Sequence, residues 1–351
     1  MVPVDDATFS ARLIAWQRRH GRHDLPWQGT RDPYRVWLSE VMLQQTQVAA
    51  VIPYYLRFLE RFPTVEALAA AEEDEVLRCW SGLGYYARGR NLHAAARIIA
   101  AEGFPRSAQA LAALPGVGRT TAAAIAVFAF GERAAILDGN VKRVLARYHG
   151  IAGWPGDPAV QARLWQRAEA LLPSRGIVPY TQGLMDLGAT VCVRAPRCDA
   201  CPLAAGCVAR RSRRTGEIPA ARPRRALPLR TVRWLVMRAG NRVLLERRPS
   251  SGLWGGLWAF PEAPRHGLEA YCRTGLGVEV SSIRALEHLE HGFTHFRLRI
   301  QPLLCSVRRA PAAAPNRAWL GLAQAAAAAV PAPVRVLLLG LRRPQQRAQA
   351  L

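Results

Sequence analysis

The spacing of apolar residues divides this chain into a helical part and a part that contains strands. Apolar positions recur with helical spacing across residues 34–48, 87–101, 119–130 and 158–172. This period predicts a succession of helices from about residue 8 to about residue 190. We expect the helix boundaries to lie near prolines, at Pro53, Pro63, Pro105, Pro115 and Pro173.

The period changes near Thr231. Residues 231–237, 242–246 and 296–300 alternate between apolar and polar types, which predicts strands. A turn rich in glycine and tryptophan, Gly252–Trp258, lies between the second and third of them. The C-terminal part is therefore predicted to be a small α+β domain. Residues 210–230 are rich in Arg and Pro and lack apolar periodicity, which indicates a linker.

Length and charge narrow the function classes. A chain of 351 residues is long enough for two domains or three. The formal net charge of +23 fits a polyanionic partner such as nucleic acid. A solvated basic surface or an anionic membrane partner is the alternative explanation of the charge. Lys142 is the single lysine among the 48 basic residues.

The sequence contains no recognisable signal for export or membrane insertion. The first residues, Met1-Val-Pro-Val-Asp-Asp6, form neither a basic n-region nor an apolar h-region. No apolar run reaches the length of a transmembrane helix. We therefore expect a cytoplasmic, nucleoid-associated protein that acts as a monomer and has no membrane partner.

Four of the seven cysteines lie within sixteen residues. Their spacing is Cys192-x5-Cys198-x2-Cys201-x5-Cys207. Four thiolates suit a tetrahedral zinc ion or a [4Fe–4S] cluster, and intervals of five are wider than the paired C-x2-C of most zinc ribbons. The spacing favours the cluster. A chance grouping of structural cysteines is the alternative.

A glycine-containing hairpin is predicted within Leu114-Pro-Gly-Val-Gly-Arg-Thr-Thr-Ala122. Gly116 and Gly118 can take backbone angles that are closed to other residues. The helix that follows would point free N–H groups at an anion, such as a DNA phosphate. Further along, Asp138 stands at the predicted start of another helix, where a carboxylate can be catalytic or can simply cap the helix.

These motifs resemble those of the helix-hairpin-helix DNA glycosylases that carry an iron–sulfur cluster. Within that group, residues 37–47, 82–88 and 136–144 are similar to the MutY-type adenine DNA glycosylases. The resemblance extends from about residue 10 to about residue 340. It implies a monofunctional enzyme, a hydrolase of N-glycosyl bonds in base excision repair. Such an enzyme excises adenine mispaired with 8-oxoguanine or guanine in duplex DNA by base flipping and leaves an abasic site.

The resemblance also implies a domain organisation. A mainly α-helical glycosylase region would span residues 1–208, with a six-helix barrel at about 30–137. An iron–sulfur module would comprise the N-terminal helix and about 138–208. A linker at 209–230 would lead to a Nudix-like α+β domain at 231–345 that recognises 8-oxoguanine.

Catalytic roles follow from the same resemblance. Glu40 would be the acid that protonates adenine N7, with a pKa raised by apolar neighbours; the alternative is an exposed helix acid. Asp138 would stabilise or capture the cationic sugar, with Asn140 as its hydrogen-bonding companion. Thr120 stands where related glycosylases that also cut the backbone carry a Schiff-base lysine, which implies base removal alone.

Further residues are implied to bind the base, the lesion and the DNA. Gln45 would fill the gap left by the flipped adenine, while Leu83 and Tyr85 would wedge beside the oxidised guanine. The remaining implied contacts are the pocket residues Trp27, Gln28, Leu43 and Gln182, the lesion contact Thr46, and the phosphate contact Lys142. For Trp27 and Tyr85 the alternative is core packing, and Lys142 could instead trap an abasic sugar.

The C-terminal domain departs from a catalytic Nudix domain. The stretch comparable to the hydrolase box, Gly267–Gly275, contains one Glu, so diphosphate hydrolysis is not expected. The lesion-reading turn would be Phe293-Thr294-His295, in which Thr294 replaces the usual Ser and keeps its hydroxyl.

The cysteine loop also departs from the family it resembles. Five residues separate Cys192 from Cys198, one fewer than in the usual pattern of that family.

Two other function classes remain open at the level of sequence. A pyrimidine-damage glycosylase with lyase activity is disfavoured by Thr120 and by the long C-terminal domain. A non-enzymatic damage-binding or cluster-bearing regulatory protein is disfavoured by the presence of both Glu40 and Asp138.

Overall fold

The computed structural model describes residues 6–223, 226–308 and 314–342. Parts of the predicted domain ranges, at residues 1–5, 224–225, 309–313 and 343–345, lie outside the described residues. The chain divides into two compact units. The first consists of Met1–Ala70 and Asn91–Arg224, and the second of Ala71–Arg90 and Arg225–Leu351.

The described part of the chain up to residue 223 is helical, as predicted. The helices are α1 (Asp6–His20), α2 (Pro33–Leu43), α3 (Val48–Arg61), α4 (Val65–Ala70), α5 (Glu73–Trp80), α6 (Ala87–Glu102), α7 (Ala108–Leu111), α8 (Arg119–Ile125), α9 (Gly139–His149), α10 (Pro158–Ala170), α11 (Ile177–Thr190) and α12 (Val208–Arg211). A π-helical turn, Ala126–Phe130, continues α8, and two 3-10 turns lie at Cys198–Ala200 and Ala204–Gly206.

The predicted helix over residues 34–48 is two helices with a turn between them. Asp32 caps α2, because its carboxylate accepts the backbone N–H groups of Tyr34 at 2.8 Å and Arg35 at 3.1 Å. The helix ends at Leu43, and Gln45 takes a left-handed backbone conformation with φ 57°. This turn orients the start of α3 independently of α2, so the prediction of one continuous helix is wrong.

Pro53 does not mark a helix boundary. It lies inside α3, where its ring removes one backbone N–H donor from the helix. The proline and Ala49, whose carbonyl loses that donor, are both exposed, so water can satisfy the carbonyl. The other four prolines lie between helices, as predicted.

The hairpin between α7 and α8 depends on one of its two glycines for its backbone shape. Gly116 has φ 75°, in the left-handed region. Gly118 is the N-cap of α8 in an extended conformation, with φ −85°, which any residue can adopt. The expectation of a glycine-only backbone is therefore wrong for Gly118. A Cβ built on Gly118 would meet no atom within 4 Å.

One hydrophobic core joins the N-terminal helix to the helices around the cysteines. Phe9 and Leu13 of α1 pack with side chains of α9, α10 and α11. Cys192, Cys201 and Cys207 pack against the edge of this core. Ile218, within the predicted linker, is also buried in it. The Arg147 guanidinium donates to the Ile218 carbonyl at 2.8 Å, which fastens this part of the chain to α9.

The second unit contains a seven-stranded mixed sheet. The strands are β1 (Leu229–Ala239), β2 (Arg242–Arg247), β3 (Trp258–Ala259), β4 (Val280–Ala285), β5 (Leu289–Gly292), β6 (Arg297–Val307) and β7 (Arg317–Gly321). The order β3-β2-β1-β6-β4 forms the main path, β5 pairs with β6, and β7 pairs with β2. Among these pairs, β1 and β6 run parallel and the others antiparallel. The three predicted strands correspond to β1, β2 and β6.

Short helices cover both faces of the central strand β1. They are α13 (Leu268–Ala270), a π-helical turn at Tyr271–Gly275, α14 (Leu322–Ala327) and α15 (Ala332–Arg342). Trp234 and Val236 pack with the core of α14 and α15, whereas Leu235 and Met237 pack with Cys272 and Leu276. The alternating pattern of β1 therefore serves two cores and not one core and solvent.

Residues 71–90 pack on this sheet domain. The Trp258 indole N–H donates to the Asp74 carboxylate at 2.8 Å. Arg335 donates to the Ser81 hydroxyl at 2.8 Å, and that hydroxyl donates to the Val330 carbonyl at 3.1 Å. These polar contacts hold α5 and the turn that follows it. Among the described residues, no helix is long and apolar enough to cross a membrane.

Candidate active site

A cavity of about 440 Å³ lies within the first unit. Its walls come from the loop around residues 22–31, from α2 and from α11. Five of the residues implied by the resemblance line it together: Trp27, Gln28, Glu40, Leu43 and Gln182. These five side chains come from three separate parts of the sequence.

Glu40 is the acid in this cavity wall. It lies in the last turn of α2, with apolar side chains such as Val36, Leu43 and Phe128 also lining the cavity. Burial, and to a smaller extent the charge of Asp138, raises the pKa of Glu40 to about 8. At neutral pH the carboxyl group therefore holds its proton and can donate it.

Asp138 caps α9. Its carboxylate accepts the backbone N–H of Val141 at 2.7 Å, and the Asn140 backbone N–H also stabilises the charge. Burial raises the pKa of Asp138, although these two N–H groups and the positive charges of Arg143 and Lys142 oppose the rise. The helix cap thus fixes the carboxylate in place, and capping does not preclude a chemical role.

The side chain of Asn140 has a separate partner. Its carbonyl oxygen accepts a hydrogen bond from Arg143 at 2.8 Å. Arg143 also donates to the backbone carbonyls of Gly188 at 2.6 Å and Cys192 at 2.7 Å. Asn140 therefore serves Asp138 through its backbone N–H, while its side chain joins a network that leads to the cysteine loop.

Two residues of the cavity wall are held by local contacts. The Trp27 ring meets the Tyr55 ring edge-on, with centroids 5.4 Å apart. The Gln28 side-chain carbonyl accepts the Leu25 backbone N–H at 3.1 Å. Both contacts fix the loop that contributes them, so this part of the wall is preformed.

Sequence reasoning missed Asp186 and Arg22. Asp186 is fully buried on α11 and forms an ion pair with Arg22 at 2.7 Å. Gln182 donates to the same carboxylate at 2.9 Å. The spacing of four between Gln182 and Asp186 places both on one helix face, which is the signal that could have found Asp186. Nothing in the local sequence indicates Arg22.

The hairpin is linked to the turn after α2. Gln44 donates through its amide to the Gly116 carbonyl at 3.3 Å and to the Thr121 hydroxyl at 3.1 Å. Gln45 is exposed in this turn, and the Thr46 hydroxyl donates to the Gln44 carbonyl at 3.3 Å. The turn and the hairpin together form one surface of the first unit.

Four polar residues implied in the chemistry lie outside the cavity wall, namely Asp138, Asn140, Thr120 and Lys142. Thr120 is half-buried in the first turn of α8. Lys142 is half-buried on α9, and its ammonium group donates to the Gln161 side chain at 3.4 Å. Neither lines the cavity that contains Glu40.

In the second unit, the turn at residues 82–86 meets the turn at 293–295. Leu83 is buried, whereas Tyr85 is 50% exposed and has a left-handed backbone with φ 48°. The Tyr85 hydroxyl lies 3.5 Å from the Thr294 hydroxyl. Phe293 stacks on Phe296 at 4.6 Å, and His295 is exposed. The structure thus brings together Tyr85 and Thr294, which are 209 positions apart and which the resemblance implied in recognition of 8-oxoguanine.

The four loop cysteines share one environment. The pKa of Cys201 is raised to about 11. Burial is the largest cause, and the charges of Cys192, Cys198 and Cys207 each add to the rise. Backbone N–H groups of Leu203, Ala209 and Arg210 point at the sulfurs of Cys201 and Cys207. The Arg147 guanidinium lies 3.4 Å from the Cys192 sulfur. Such donors are the groups that stabilise metal-bound thiolates.

The cysteines are not gathered around a single point. In the described part of the chain, no three His, Cys, Asp or Glu side chains stand close enough to hold one metal ion.

Comparisons with known proteins agree with this architecture. Residues 38–170 match the HhH-GPD superfamily of base excision DNA repair proteins, and residues 233–339 match the NUDIX domain. The solved structure of a thermostable thymine-DNA glycosylase is 29% identical, with a TM-score of 0.53 over 59% of this chain and 97% of that chain.

Full-length relatives define the family. An adenine DNA glycosylase from Buchnera aphidicola subsp. Baizongia pistaciae is 33% identical over 342 residues, which cover 95% of this chain and 97% of that protein. The adenine DNA glycosylase of Mus musculus is 35% identical over 385 residues, which cover 90% of this chain and 74% of that protein. This chain therefore belongs to the adenine DNA glycosylases, enzymes of the HhH-GPD superfamily of base excision DNA repair proteins.

Proposed function

We propose that this enzyme excises adenine mispaired with 8-oxoguanine or guanine in duplex DNA and leaves an abasic site. One observation carries the proposal. Glu40, in the wall of a cavity of about 440 Å³, has a pKa raised to about 8 and lies within electrostatic reach of Asp138. A protonated acid beside an ionised carboxylate is the pairing that glycosidic bond cleavage requires.

Glu40 supplies the proton. A base flipped out of the duplex enters the cavity, since the glycosidic bond is out of reach within the stack. The Glu40 carboxyl donates its proton to N7 of adenine, and the electron pair of the C1′–N9 bond passes to the base. Trp27, Gln28, Leu43 and Gln182 form the walls that hold the base.

Asp138 stabilises the cation that this step creates. As the base leaves, the sugar acquires oxocarbenium character at C1′, and a fixed carboxylate lowers the energy of that charge. The hydrogen bond from the Val141 backbone N–H holds the carboxylate still. Water then adds at C1′ and gives up a proton to the Glu40 carboxylate, which restores the acid and completes hydrolysis to the abasic sugar.

The chemistry ends at base removal. A glycosylase that also cuts the backbone needs an amine at C1′ to form a Schiff base. Thr120 offers a hydroxyl, which cannot form one. The enzyme is therefore monofunctional.

DNA contacts are assigned to residues of both units. In the first unit, the hairpin with Gly116 and Gly118 binds a phosphate at the N-terminus of α8, Gln45 fills the gap in the stack, Thr46 contacts the oxidised guanine and Lys142 contacts the backbone. In the second unit, Leu83, Tyr85 and the Phe293–His295 turn recognise 8-oxoguanine. The net charge of +23 favours such a partner.

Cys192, Cys198, Cys201 and Cys207 would hold one [4Fe–4S] cluster. The mutual influence of their thiols and the N–H groups aimed at two of the sulfurs support this assignment. The cluster would supply a cross-link that shapes the basic loop for a phosphate backbone. No step of base excision requires it.

A strand-cleavage assay tests the proposal. Duplexes carry adenine opposite 8-oxoguanine, adenine opposite guanine, or an oxidised pyrimidine, and strand breaks are measured with and without alkali. Breaks are expected in the adenine strand alone and only after alkali. Breaks without alkali would contradict the monofunctional assignment, and equal rates opposite 8-oxoguanine and guanine would contradict lesion recognition.

A further inference from the structure

Asp186 is the most enclosed charged group of the first unit that the chemistry above does not use. It is fully buried on α11. One carboxylate oxygen accepts the backbone N–H of Arg22 at 3.0 Å, and the other accepts the Arg22 Nε at 2.7 Å. A two-pronged contact of this kind fixes both the position and the rotation of the carboxylate.

Gln182 is the third group that Asp186 holds. Its amide nitrogen donates to the Asp186 carboxylate at 2.9 Å. An ionised carboxylate only accepts hydrogen bonds, so the amide must turn its NH₂ group toward it. The carbonyl oxygen of Gln182 is then the atom left for the cavity that Gln182 lines.

We propose that Asp186, held by Arg22, is a positioning residue that sets the base specificity of the cavity. It keeps the Gln182 carbonyl oxygen toward the bound base as a hydrogen-bond acceptor. That acceptor matches the 6-amino group of adenine, which donates, and opposes the 6-oxo group of guanine or hypoxanthine, which accepts. The inference rests on the proposed binding of the flipped base in this cavity.

The competing interpretation is a purely structural ion pair. A buried pair can be replaced or lost with consequences for stability alone. Such a role would slow the excision of every base by the same factor. A specificity role changes the ratio between bases, so that ratio is the decisive measurement.

The test compares single-turnover excision of adenine and of hypoxanthine, each placed opposite 8-oxoguanine and opposite guanine. Asp186→Asn gives Gln182 a neighbour that can both donate and accept, so the Gln182 amide can take either orientation. The adenine-to-hypoxanthine rate ratio is expected to fall about tenfold relative to the unaltered enzyme. The intrinsic lability of each nucleoside cancels in this comparison.

Thr190→Val is the matched control. The Thr190 hydroxyl donates to the Asp186 backbone carbonyl at 2.7 Å, so the substitution disturbs the same residue without touching its carboxylate. Its rate ratio is expected to stay at the unaltered value. Gln182→Leu removes the acceptor itself and is expected to lower the ratio as Asp186→Asn does.

Arg22→Lys provides a second route should Asp186→Asn fail to fold. It keeps a positive charge beside Asp186 but loses the planar contact that fixes the carboxylate, so the ratio is expected to fall. An unchanged ratio in the folded variants would overturn the inference while leaving adenine excision intact. Absence of adenine excision by the unaltered enzyme would instead contradict the proposed function.

Discussion

The carboxyl group of Glu40 lies close enough to that of Asp138 for the charge of Asp138 to raise the pKa of Glu40. The two groups come from different helices, 98 positions apart in the sequence. Burial is the largest cause that raises the pKa of both groups, that of Glu40 to about 8, while backbone N–H groups and nearby cations oppose the rise at Asp138 alone. The surroundings of the two carboxyl groups therefore differ in the direction that makes Glu40 the acid and Asp138 the anion.

The first prediction concerns the pH dependence of excision. Glu40 must be protonated to act, so the single-turnover rate is expected to fall as pH rises through about 8. Asp138 must be ionised, so the rate is also expected to fall on the acid side, above the ordinary aspartate value of 3.8 because its pKa is raised. The profile is therefore bell-shaped.

Two variants test which residue causes each limb of the pH profile. Glu40→Gln is expected to lower the rate by about 10²-fold or more and to abolish the alkaline limb. Asp138→Asn should remove the acid limb with a similar loss. DNA affinity should stay within about twofold for both. An alkaline limb that persists in Glu40→Gln would assign that ionisation to another group.

A second prediction separates the two hairpin glycines. Gly116 has φ 75°, and a Cβ there would lie 2.8 Å from the Asn91 Cβ. Gly116→Ala is expected to lower the free energy of unfolding by about 1–3 kcal/mol, measured by urea denaturation. Gly118→Ala, with φ −85° and open space around the new methyl group, should leave that free energy within about 0.5 kcal/mol.

For DNA binding, by contrast, Gly118 is expected to be the glycine whose substitution has an effect. The methyl group introduced by Gly118→Ala would stand at the N-terminus of α8, where a phosphate is expected to approach the backbone closely. Gly118→Ala should therefore weaken duplex binding at fixed salt, although the fold is unaffected. Unaltered affinity in this variant would remove the hairpin from the proposed phosphate contact.

The sequence predicted elements better than it predicted the joints between them. The period of apolar residues located α6 and α10 closely, because both helices bury one continuous stripe. The same period did not show that α2 ends before α3 begins, because the left-handed turn at Gln45 contains neither Gly nor Pro. Pro53 was predicted to mark a helix boundary, because the sequence does not reveal that Ala49, whose carbonyl loses its donor, is exposed to water.

The candidate site shows the same division. Motif resemblance supplied Glu40, Trp27, Leu43 and Gln182, which line one cavity. It did not supply Arg22, because the ion pair with Asp186 joins residues 164 positions apart and leaves no local trace. Chemistry carried by a motif can be predicted, whereas the tertiary contacts that orient it require the fold.

The third prediction concerns Arg147, which joins α9 to the cysteine loop. Its buried guanidinium donates to the carbonyls of Ile218 at 2.8 Å, Val193 at 2.6 Å and Arg194 at 3.0 Å, and it lies 3.4 Å from the Cys192 sulfur. Arg147→Gln leaves several of these acceptors unsatisfied. We expect a loss of about 2–4 kcal/mol in stability and a lower iron content per chain.

Iron analysis and visible absorbance provide the measurement. The unaltered protein is expected to hold four irons per chain, as a [4Fe–4S] cluster requires. Arg143→Lys is a suitable control, because Arg143 also donates to the Cys192 carbonyl, whereas the hydrogen bond to the Cys192 sulfur comes from Arg147. Stoichiometric zinc in place of iron would refute the cluster.

A fourth prediction uses the fact that Lys142 is the single lysine of the chain. Borohydride traps a protein on an abasic site only through a primary amine. Any trapped adduct formed through a side chain must therefore involve Lys142, and Lys142→Arg is expected to abolish it. Base excision should continue, because the positive charge beside the DNA remains.

Salt dependence tests the phosphate role of the same residue. Lys142→Gln is expected to weaken binding about equally for all duplexes and to reduce the slope of log affinity against log salt by about 1. Peptide mapping of trapped adducts gives the complementary result. An adduct that persists in Lys142→Arg and maps away from the N-terminus would contradict this assignment.

The last prediction concerns the hydroxyls of Tyr85 and Thr294, which lie 3.5 Å apart in the second unit. Tyr85→Phe and Thr294→Val each remove one hydroxyl and keep the shape of the side chain. If the two hydroxyls read the lesion together, each variant should reduce the preference for adenine opposite 8-oxoguanine over adenine opposite guanine by about 5- to 10-fold. Thr294→Ser, which keeps the hydroxyl, should retain the preference.

The double variant decides whether the pair acts as a unit. Groups that depend on one another show a combined effect smaller than the product of the single effects. Tyr85→Phe with Thr294→Val is therefore expected to lose no more discrimination than either change alone, measured as the ratio of single-turnover rates on the two duplexes. Fully multiplicative losses would mean that the two hydroxyls contact the DNA independently, and the 3.5 Å contact would then have no part in lesion recognition.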